Sequence, residues 1–207
     1  MQGFGTNKRV TRRDVLQIFQ EAEVLRPKDL ADRGISRKHL QRLHDAGFLQ
    51  RSSRGVYYLA DGEITARHTL LEVAKRVPSG VICLLSALQF HQLTTQNPFE
   101  VWIALSSRAW NPQMEYPPLH IVKMSGAALT EGIEEHQHSS DVLLRVYSPA
   151  KTVADCFKYR NKIGLDVALE ALRDGWRSKK VTMDELWRYA KIDRVTNVIR
   201  PYLESLS

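Results

Sequence analysis

Near the start of the chain, apolar residues recur every three or four positions, which is the spacing of a helix with one buried face. This spacing predicts a first helix over residues 11–23. A second helix is predicted to begin at Pro27, because proline suits the first helical turn, where a backbone N–H would have no partner. This helix is predicted to end at Gly34, since glycine is common just after a helix. Ser36 is a good N-cap for a third helix over residues 37–46.

Two short apolar runs after these helices predict a β-hairpin. Its strands are residues 48–49 and 56–59, and the polar residues 51–55 form its tip. Helices followed by such a hairpin are the order of a winged helix-turn-helix. In that fold the last helix enters the major groove of DNA, and the hairpin reaches a phosphate or the minor groove.

Beyond residue 60 the pattern changes to helices, then strands, then helices again. The predicted elements are helices over 65–76 and 81–92, strands over 99–106, 119–125 and 142–147, and helices over 148–160, 165–177, 183–192 and 194–206. We therefore expect an α+β fold: a winged helix-turn-helix domain over residues 1–60, followed by a mixed helix and strand domain over residues 61–207 that ends in a helical segment.

Three of the C-terminal helices carry signals at their starts. The Ser-Pro pair at 148–149 combines an N-cap residue with a proline at the first helical position. The TMDE motif at 182–185 has the spacing of a capping box. Asp193 is expected to cap the last helix, and Pro201 to kink or divide it, since proline cannot donate the interior hydrogen bond.

The excess positive charge lies on the predicted winged helix. Residues 1–60 contain 12 Lys and Arg against 6 Asp and Glu, whereas the rest of the chain contains 18 against 17. Almost all of the net charge of +7 is therefore on the segment with the pattern of a DNA reader. Two other interpretations stay open: a protein-interaction module, and a basic helix face that is only solvated.

The composition is that of an ordinary globular protein without disulfides. Hydrophobic residues make up 43% of the 207, enough for a core that needs no covalent crosslink. Cys83 and Cys156 lie in apolar or helical segments and are expected to be buried thiols. The sequence contains no apolar run long enough to span a membrane and no signal-peptide pattern over residues 1–10, so we expect a cytoplasmic protein.

We expect the third helix to read bases and the hairpin to contact phosphates. Arginine can bond O6 and N7 of guanine, and glutamine can bond N6 and N7 of adenine. The candidates on the helix are Arg37, Lys38, His39, Gln41 and Arg42. The candidates for phosphate contacts, which position a protein without reading sequence, are Arg51, Ser52, Ser53 and Arg54 on the hairpin and Lys8, Arg9, Arg12 and Arg13 near the N-terminus.

A second basic cluster follows the Ser-Pro pair. It consists of Lys151, Lys158, Arg160 and Lys162, with Tyr159 among them. We interpret it either as a surface for a partner protein, RNA or a second stretch of DNA, or as a solvated helix face. Asp155 in the same helix is expected to anchor helix packing through a hydrogen bond to a neighbouring helix cap rather than to act in catalysis.

No residue pattern indicates an enzyme. His136 and His138 lie close together, but no cysteine or carboxylate pattern completes a metal site, and the glutamates at 134–135 are expected in a loop. The sequence lacks a Gly-rich phosphate loop and a GxSxG motif. Glu100 and Glu115 leave a nuclease as a minor alternative. We expect a non-enzymatic protein without a metal ion or cofactor.

Three segments in this order resemble the AbiEi-type antitoxin family: RGVYYLA at 54–60, PSGVICLLSALQFHQLT at 78–94 and SPAKTVADCFKYRNKIGLDVALEAL at 148–172. The resemblance implies a two-domain cytoplasmic protein. Its N-terminal domain would bind inverted repeats in the promoter of its own operon and repress it. Its C-terminal domain would neutralise a co-encoded nucleotidyltransferase toxin, often without a stable complex between the two proteins.

Together these observations predict an antitoxin that is also an autoregulatory repressor. Its partners would be double-stranded DNA of its own promoter and, through a functional or physical link, the toxin. Monomers in solution would bind an inverted repeat cooperatively. Two alternatives remain: a stand-alone regulator whose second domain senses a ligand or protein partner, and an interaction module that sequesters the toxin directly.

Overall fold

The structure is a computed structural model. It describes residues 15, 18–19, 24–25, 27–31, 35–51, 57–60, 66–114, 116–139 and 142–206. Val15, Ile18 and Phe19 are helical, in agreement with the first predicted helix, whose other positions lie outside the described residues.

Besides the helical residues Val15, Ile18 and Phe19, the described part of the N-terminal unit contains two short helices and a three-stranded antiparallel sheet. Strand β1 (Val24–Leu25) precedes helices α1 (Pro27–Ala31) and α2 (Arg37–Asp45), and the hairpin strands β2 (Leu49–Arg51) and β3 (Tyr57–Leu59) follow. The strand order is β1-β3-β2. The second and third predicted helices and the hairpin are confirmed. The sequence pattern does not predict β1, because a two-residue strand is too short to show alternation.

Local signals set the ends of α2. The Ser36 hydroxyl accepts a hydrogen bond from the His39 N–H at 3.3 Å, which confirms the predicted N-cap. The helix ends at Asp45, one residue earlier than predicted, and Gly47 follows with a φ of +74°. Glycine adopts this left-handed conformation without the steric cost that a Cβ would bring, so the chain can turn here into the hairpin.

A separate apolar core holds the N-terminal unit together. Leu40 and Leu43 of α2 are buried against residues of α1 and the hairpin. The other buried members are Val15, Phe19, Leu25, Leu30, Ile35, Leu49 and Tyr57. Because the leucine side of α2 is used for packing, the opposite side of the helix faces solvent.

A mixed five-stranded sheet lies at the centre of the larger C-terminal unit. Its strands are β4 (Val81–Ile82), β5 (Val101–Ser106), β6 (Leu119–Met124), β7 (Ile133–Ser139) and β8 (Val142–Tyr147), in the order β6-β5-β4-β8-β7. The pairs β5-β6 and β4-β8 are parallel, and the pairs β4-β5 and β7-β8 are antiparallel. The three strands predicted from sequence are confirmed as β5, β6 and β8.

Helices cover both faces of this sheet. Alternate residues of β5 point to opposite sides of the sheet, so each set packs against different helices. Val101, Ile103 and Leu105 pack with helix α3 (Ala66–Arg76), whereas Trp102 and Ala104 face the other helices. The helices on this other face are α4 (Leu84–Phe90), α6 (Pro149–Lys158), α8 (Leu165–Arg177), α9 (Met183–Ile192) and α10 (Thr196–Glu204). Two further helices, α5 (Ala127–Thr130) and α7 (Arg160–Ile163), have four residues each. None of the helices in the described part of the chain is both long and apolar enough to cross a membrane.

Helix α3 also contacts strand β1 of the N-terminal sheet, in addition to β5 and β8 of the larger sheet. It begins at Ala66, close to the predicted start, and carries Leu70 and Val73 into the core between itself and the five-stranded sheet. One helix therefore lies against both sheets.

Two of the secondary-structure assignments predicted for the C-terminal unit are wrong. Residues 81–92 do not form a single helix, because Val81–Ile82 pairs with β5 and β8 as strand β4 before α4 begins. The glutamates at 134–135 lie in β7 rather than in a loop, since this segment pairs along its length with β8. In both cases hydrogen bonds to distant strands decide the conformation, and the local pattern does not record them.

The signals at the helix starts have mixed outcomes. The Ser148 hydroxyl caps α6, and both halves of the capping box at 182–185 are present. The prediction that Asp193 caps the last helix is wrong: the residue before α10 is Val195, and the Asp193 side chain is buried and paired with lysines. Pro201 lies inside α10 without dividing it.

Candidate nucleic-acid interface

One face of α2 presents basic and amide side chains to solvent. Its exposed members are Arg37, Lys38, Gln41 and Arg42, with the neighbouring His39 half-buried. Positions 37 and 41 are four residues apart, as are 38 and 42, so the side chains form two adjacent rows along the helix. A helix with such a face fits the major groove of B-DNA, which is about 12 Å wide.

Gln41 already has a hydrogen-bond partner on this face. Its Nε2 donates to Oδ1 of Asp45 at 2.8 Å, and Nδ1 of His44 lies 3.5 Å from the same oxygen. The carboxylate therefore holds the Gln41 amide in place and adds a negative charge at the end of a basic surface. A base contact by Gln41 requires this bond to open or its remaining amide atoms to be used.

Arg51 is exposed and is the last residue of strand β2, not part of the tip over residues 51–55 as predicted, because it pairs with Tyr57 of β3. Its guanidinium carbon is 5.7 Å from the ring centroid of Tyr57, the residue opposite it in the β2-β3 pairing. This contact orients the arginine over the Tyr57 ring. The other hairpin candidates, Ser52, Ser53 and Arg54, lie outside the described residues, as do Lys8, Arg9, Arg12 and Arg13.

His44 fixes α2 against the hairpin, a role that the sequence interpretation missed. Its ring meets the ring of Tyr57 edge to face, with 6.2 Å between the centroids. His44 lies four residues after Leu40 and extends the buried side of the helix, which is the signal that could have revealed it. The same Tyr57 thus contacts both α2, through His44, and Arg51.

The second basic cluster is not wholly exposed, although both interpretations expected an exposed surface. Lys151 is 0% exposed, so its predicted position on a surface is wrong. Lys158 is partly exposed, with Nζ 3.1 Å from Oδ1 of Asp193, and Arg160 donates to the Phe157 carbonyl at 2.9 Å. Lys162 is exposed near the ring of Tyr159. Binding of a partner by Lys158, Arg160 and Lys162 stays a prediction.

Lys151 instead belongs to a buried ionic cluster with Asp155 and Asp193. Its Nζ donates to Oδ1 of Asp155 and lies 3.3 Å from Oδ2 of Asp193. Burial alone would lower the pKa of Lys151, but the two carboxylates raise it by a larger amount, so the net shift of the pKa is upward. Burial is also the largest cause of the raised pKa of Asp155. Asp155 pairs with Lys151 on its own helix, and Lys151 in turn pairs with Asp193, the C-cap residue of α9, so the cluster joins α6 to the end of α9.

The described histidine and glutamate residues considered for metal binding or catalysis form pairs with each other or with a neighbouring histidine. Nε2 of His136 lies 3.4 Å from Oε2 of Glu134, and Nδ1 of His120 lies 3.0 Å from Oε2 of Glu100. Among the described residues, no group of three His, Cys, Asp or Glu side chains is arranged to hold a metal ion. Glu115 and the side chain of His138 lie outside the described residues.

Comparison with known proteins identifies the N-terminal segment. Residues 13–60 match the family model described as "Transcriptional regulator, AbiEi antitoxin", and this segment contains α1, α2 and the three-stranded sheet. The predicted resemblance is confirmed for this domain. The segments at 78–94 and 148–172 lie outside the match. No curated protein is significantly similar to the chain.

Proposed function

We propose that the protein is an antitoxin and an autoregulatory transcriptional repressor. A winged helix-turn-helix domain, residues 1–60, binds inverted repeats in its own promoter. An α+β domain, residues 61–207, neutralises a co-encoded nucleotidyltransferase toxin. The observation that carries the proposal is the exposed basic face of α2, which packs on a hairpin inside the segment that matches the AbiEi regulator family.

In the proposed complex, α2 lies in the major groove. Arg37 and Arg42 can each bond a guanine through two hydrogen bonds, and Lys38 and His39 add donors along the same groove. Arg51, at the end of strand β2 of the hairpin, contacts a phosphate, and this contact sets the position of the helix without reading a base. The candidates outside the described residues, Ser52, Ser53, Arg54, Lys8, Arg9, Arg12 and Arg13, would add further backbone contacts.

Repression in this proposal needs no chemical step. A molecule bound at each half of the inverted repeat occupies the promoter and excludes polymerase. The two molecules bind cooperatively, because contact with the first or the bend that it imposes on the DNA lowers the cost for the second. The protein acts in the cytoplasm, without a cofactor or a metal ion.

A binding titration tests the DNA half of the proposal. Full-length protein is titrated at several salt concentrations into labelled duplex from its own upstream region and into a shuffled duplex of equal composition. We expect the upstream duplex to bind at least about a thousandfold tighter at physiological salt. Equal affinity for the two duplexes would contradict the proposal.

A survival assay tests the antitoxin half independently. The adjacent gene is expressed from a foreign inducible promoter, so that repression cannot intervene, together with wild-type protein or with full-length Arg37→Ala/Lys38→Ala/Arg42→Ala. We expect both proteins to rescue growth, because the variant alters only the proposed DNA-binding face. If the neighbour is toxic and neither protein rescues, a promoter-binding regulator remains and the antitoxin function is excluded.

Replacing Asp45 is expected to strengthen DNA binding. Asp45→Ala removes the negative charge at the end of the basic face and releases the Gln41 amide that it holds at 2.8 Å. We expect the affinity for the upstream duplex to rise roughly threefold to tenfold at low salt, with a smaller gain at high salt. The measurement is the same titration with the variant.

Glu204→Ala is a matched control for this change. Glu204 is also an exposed acidic residue at the last position of a helix, α10, so its removal changes the net charge and the helix end in the same way. An equal gain from both variants would show that only net charge matters, and would remove the specific role given to Asp45.

A further inference from the structure

A pocket of about 450 Å³ opens beside the start of β5 in the C-terminal unit. Its walls come from α3, α4, residues 97–101 and the Tyr116-Pro117 pair. The volume lies within the range of about 300–1,000 Å³ typical of small-molecule sites. The pocket lies far along the chain from the basic face of α2 and has no part in the DNA contacts proposed above.

Two aromatic side chains stand exposed at the opening of this pocket. Phe99 is 86% exposed and Tyr116 is 44% exposed, and both line the same cavity. Single exposed apolar residues are common on protein surfaces, but these two aromatic residues line one opening. Their ring faces can stack against a flat ligand.

The Glu100 carboxylate in the pocket lining is held in one position and can accept hydrogen bonds there. Oε2 of Glu100 receives the Nδ1 contact from His120 at 3.0 Å, and the His120 ring stacks on Trp102 with 3.6 Å between centroids. This stack holds the carboxylate in place, and a carboxylate retains further acceptor sites after one such bond. Among the described lining residues, Glu100 carries the sole charge, so the pocket favours a donor-rich ligand over an anionic group.

Amide groups continue this polar wall. Nε2 of Gln89 donates to Oδ1 of Asn97 at 2.7 Å, which orients both side chains where they line the pocket. Each amide keeps its other polar atom, one a carbonyl oxygen and the other an NH₂ group. The wall therefore offers a carboxylate and paired amides at one side of a cavity whose opening carries aromatic rings.

We propose that this pocket binds a planar heteroaromatic ligand with adjacent N–H donors, of which the guanine base is the model. The base would stack on Phe99 and Tyr116, and its N1–H and N2–H groups would donate to the Glu100 carboxylate. Two sources carry this chemistry, a free nucleoside and a guanine exposed in a single-stranded nucleic acid. The ribose and phosphate lie toward solvent in either case, since the described lining contains no lysine or arginine.

Calorimetric titration of the full-length protein tests this site with three probes. They are guanosine, inosine, which lacks the N2 amino group, and a single-stranded thymidine decamer with one central guanine. We expect guanosine to bind with one site per chain and inosine to bind about tenfold more weakly, because one acceptor of Glu100 is then left unpaired. A decamer that binds much tighter than guanosine would identify single-stranded nucleic acid as the source, and equal affinities would identify the free nucleoside.

Three variants locate the binding at this pocket. Phe99→Ala is expected to weaken guanosine binding about tenfold through lost stacking. Glu100→Gln is expected to weaken guanosine binding about tenfold and inosine binding less, because the amide cannot accept both donors. Trp110→Ala is the matched control, since Trp110 is 95% exposed and does not line the pocket, and it should leave all affinities unchanged.

Two outcomes would overturn the proposal. One is the absence of saturable binding by guanosine and by the decamer. The other is binding that Phe99→Ala and Glu100→Gln leave unchanged while the unfolding curves of both variants match the wild-type protein. DNA titration of the same variants keeps the two proposals apart, because neither variant alters the basic face of α2.

Discussion

Lys151→Met is expected to lower the free energy of unfolding by about 3–5 kcal/mol, because it leaves buried carboxylates without their partner. Lys151 is fully buried, with Asp155 and Asp193 as its ion-pair partners. Asp193 retains Lys158, but Asp155 loses its cation, and one of its oxygens, Oδ2, already lacks a hydrogen-bond partner. Urea unfolding followed by circular dichroism measures the change.

A double variant shows whether the unpaired charge is the cause. Lys151→Met/Asp155→Leu replaces the pair by apolar side chains of similar size and leaves Asp193 paired with Lys158. We expect it to recover at least about half of the lost stability, since apolar replacement of a buried ion pair is often neutral. If Lys151→Met does not fold, the test is whether the double variant folds: a folded double variant would support the prediction, and an unfolded one would contradict it.

Lys162→Met is the control for loss of a lysine from the same region of the chain. Lys162 is exposed, so we expect a change within about 0.5 kcal/mol. A cost below about 1 kcal/mol for Lys151→Met, or a double variant no more stable than the single one, would contradict the account of the buried cluster.

The triple variant Arg37→Ala/Lys38→Ala/Arg42→Ala is expected to lose about a thousandfold or more in affinity for the upstream duplex. Each side chain extends from the exposed face of α2, and a good bidentate contact with a base is worth about 1–3 kcal/mol. For each of the three that meets a phosphate, the dependence of log affinity on log salt should fall by about 0.9. Fluorescence anisotropy over a range of salt concentrations measures both quantities.

A variant of equal charge separates specific contacts from net charge. Arg173→Ala/Arg177→Ala/Lys191→Ala removes three exposed cations from α8 and α9, away from α2. We expect it to bind the upstream duplex within about threefold of the wild-type affinity at physiological salt, where distant charges are screened. Equal losses in both triple variants would show that α2 has no special place in DNA binding.

The elements governed by local chemistry could be predicted from the sequence. Ser36 and Pro27 indicate the starts of two helices, and the capping box at 182–185 indicates a third, because each signal acts within one turn. The basic face of α2 could be predicted for the same reason, since the leucine spacing determines which side of the helix is buried.

The features set by distant contacts could not be predicted. Strand β4 has two residues and exists because β5 and β8 lie on either side of it. Lys151 and Asp155 are four residues apart on one helix, yet their burial depends on α9, which ends next to Asp193, and on the packing of the surrounding core. A lysine inside a helix is exposed unless tertiary packing covers it, and the sequence around it contains no record of that packing.

If the protein binds an operator as proposed, the placement of α3 against both sheets links the shape of the protein to the layout of that operator. Because one helix contacts β1 as well as β5 and β8, it connects the unit proposed to bind DNA with the larger unit. A molecule seated in the groove would then project its larger unit at a set angle around the axis of the duplex. Since B-DNA completes a turn in about 10.5 base pairs, the distance between half-sites determines whether two such units face one side of the duplex or opposite sides.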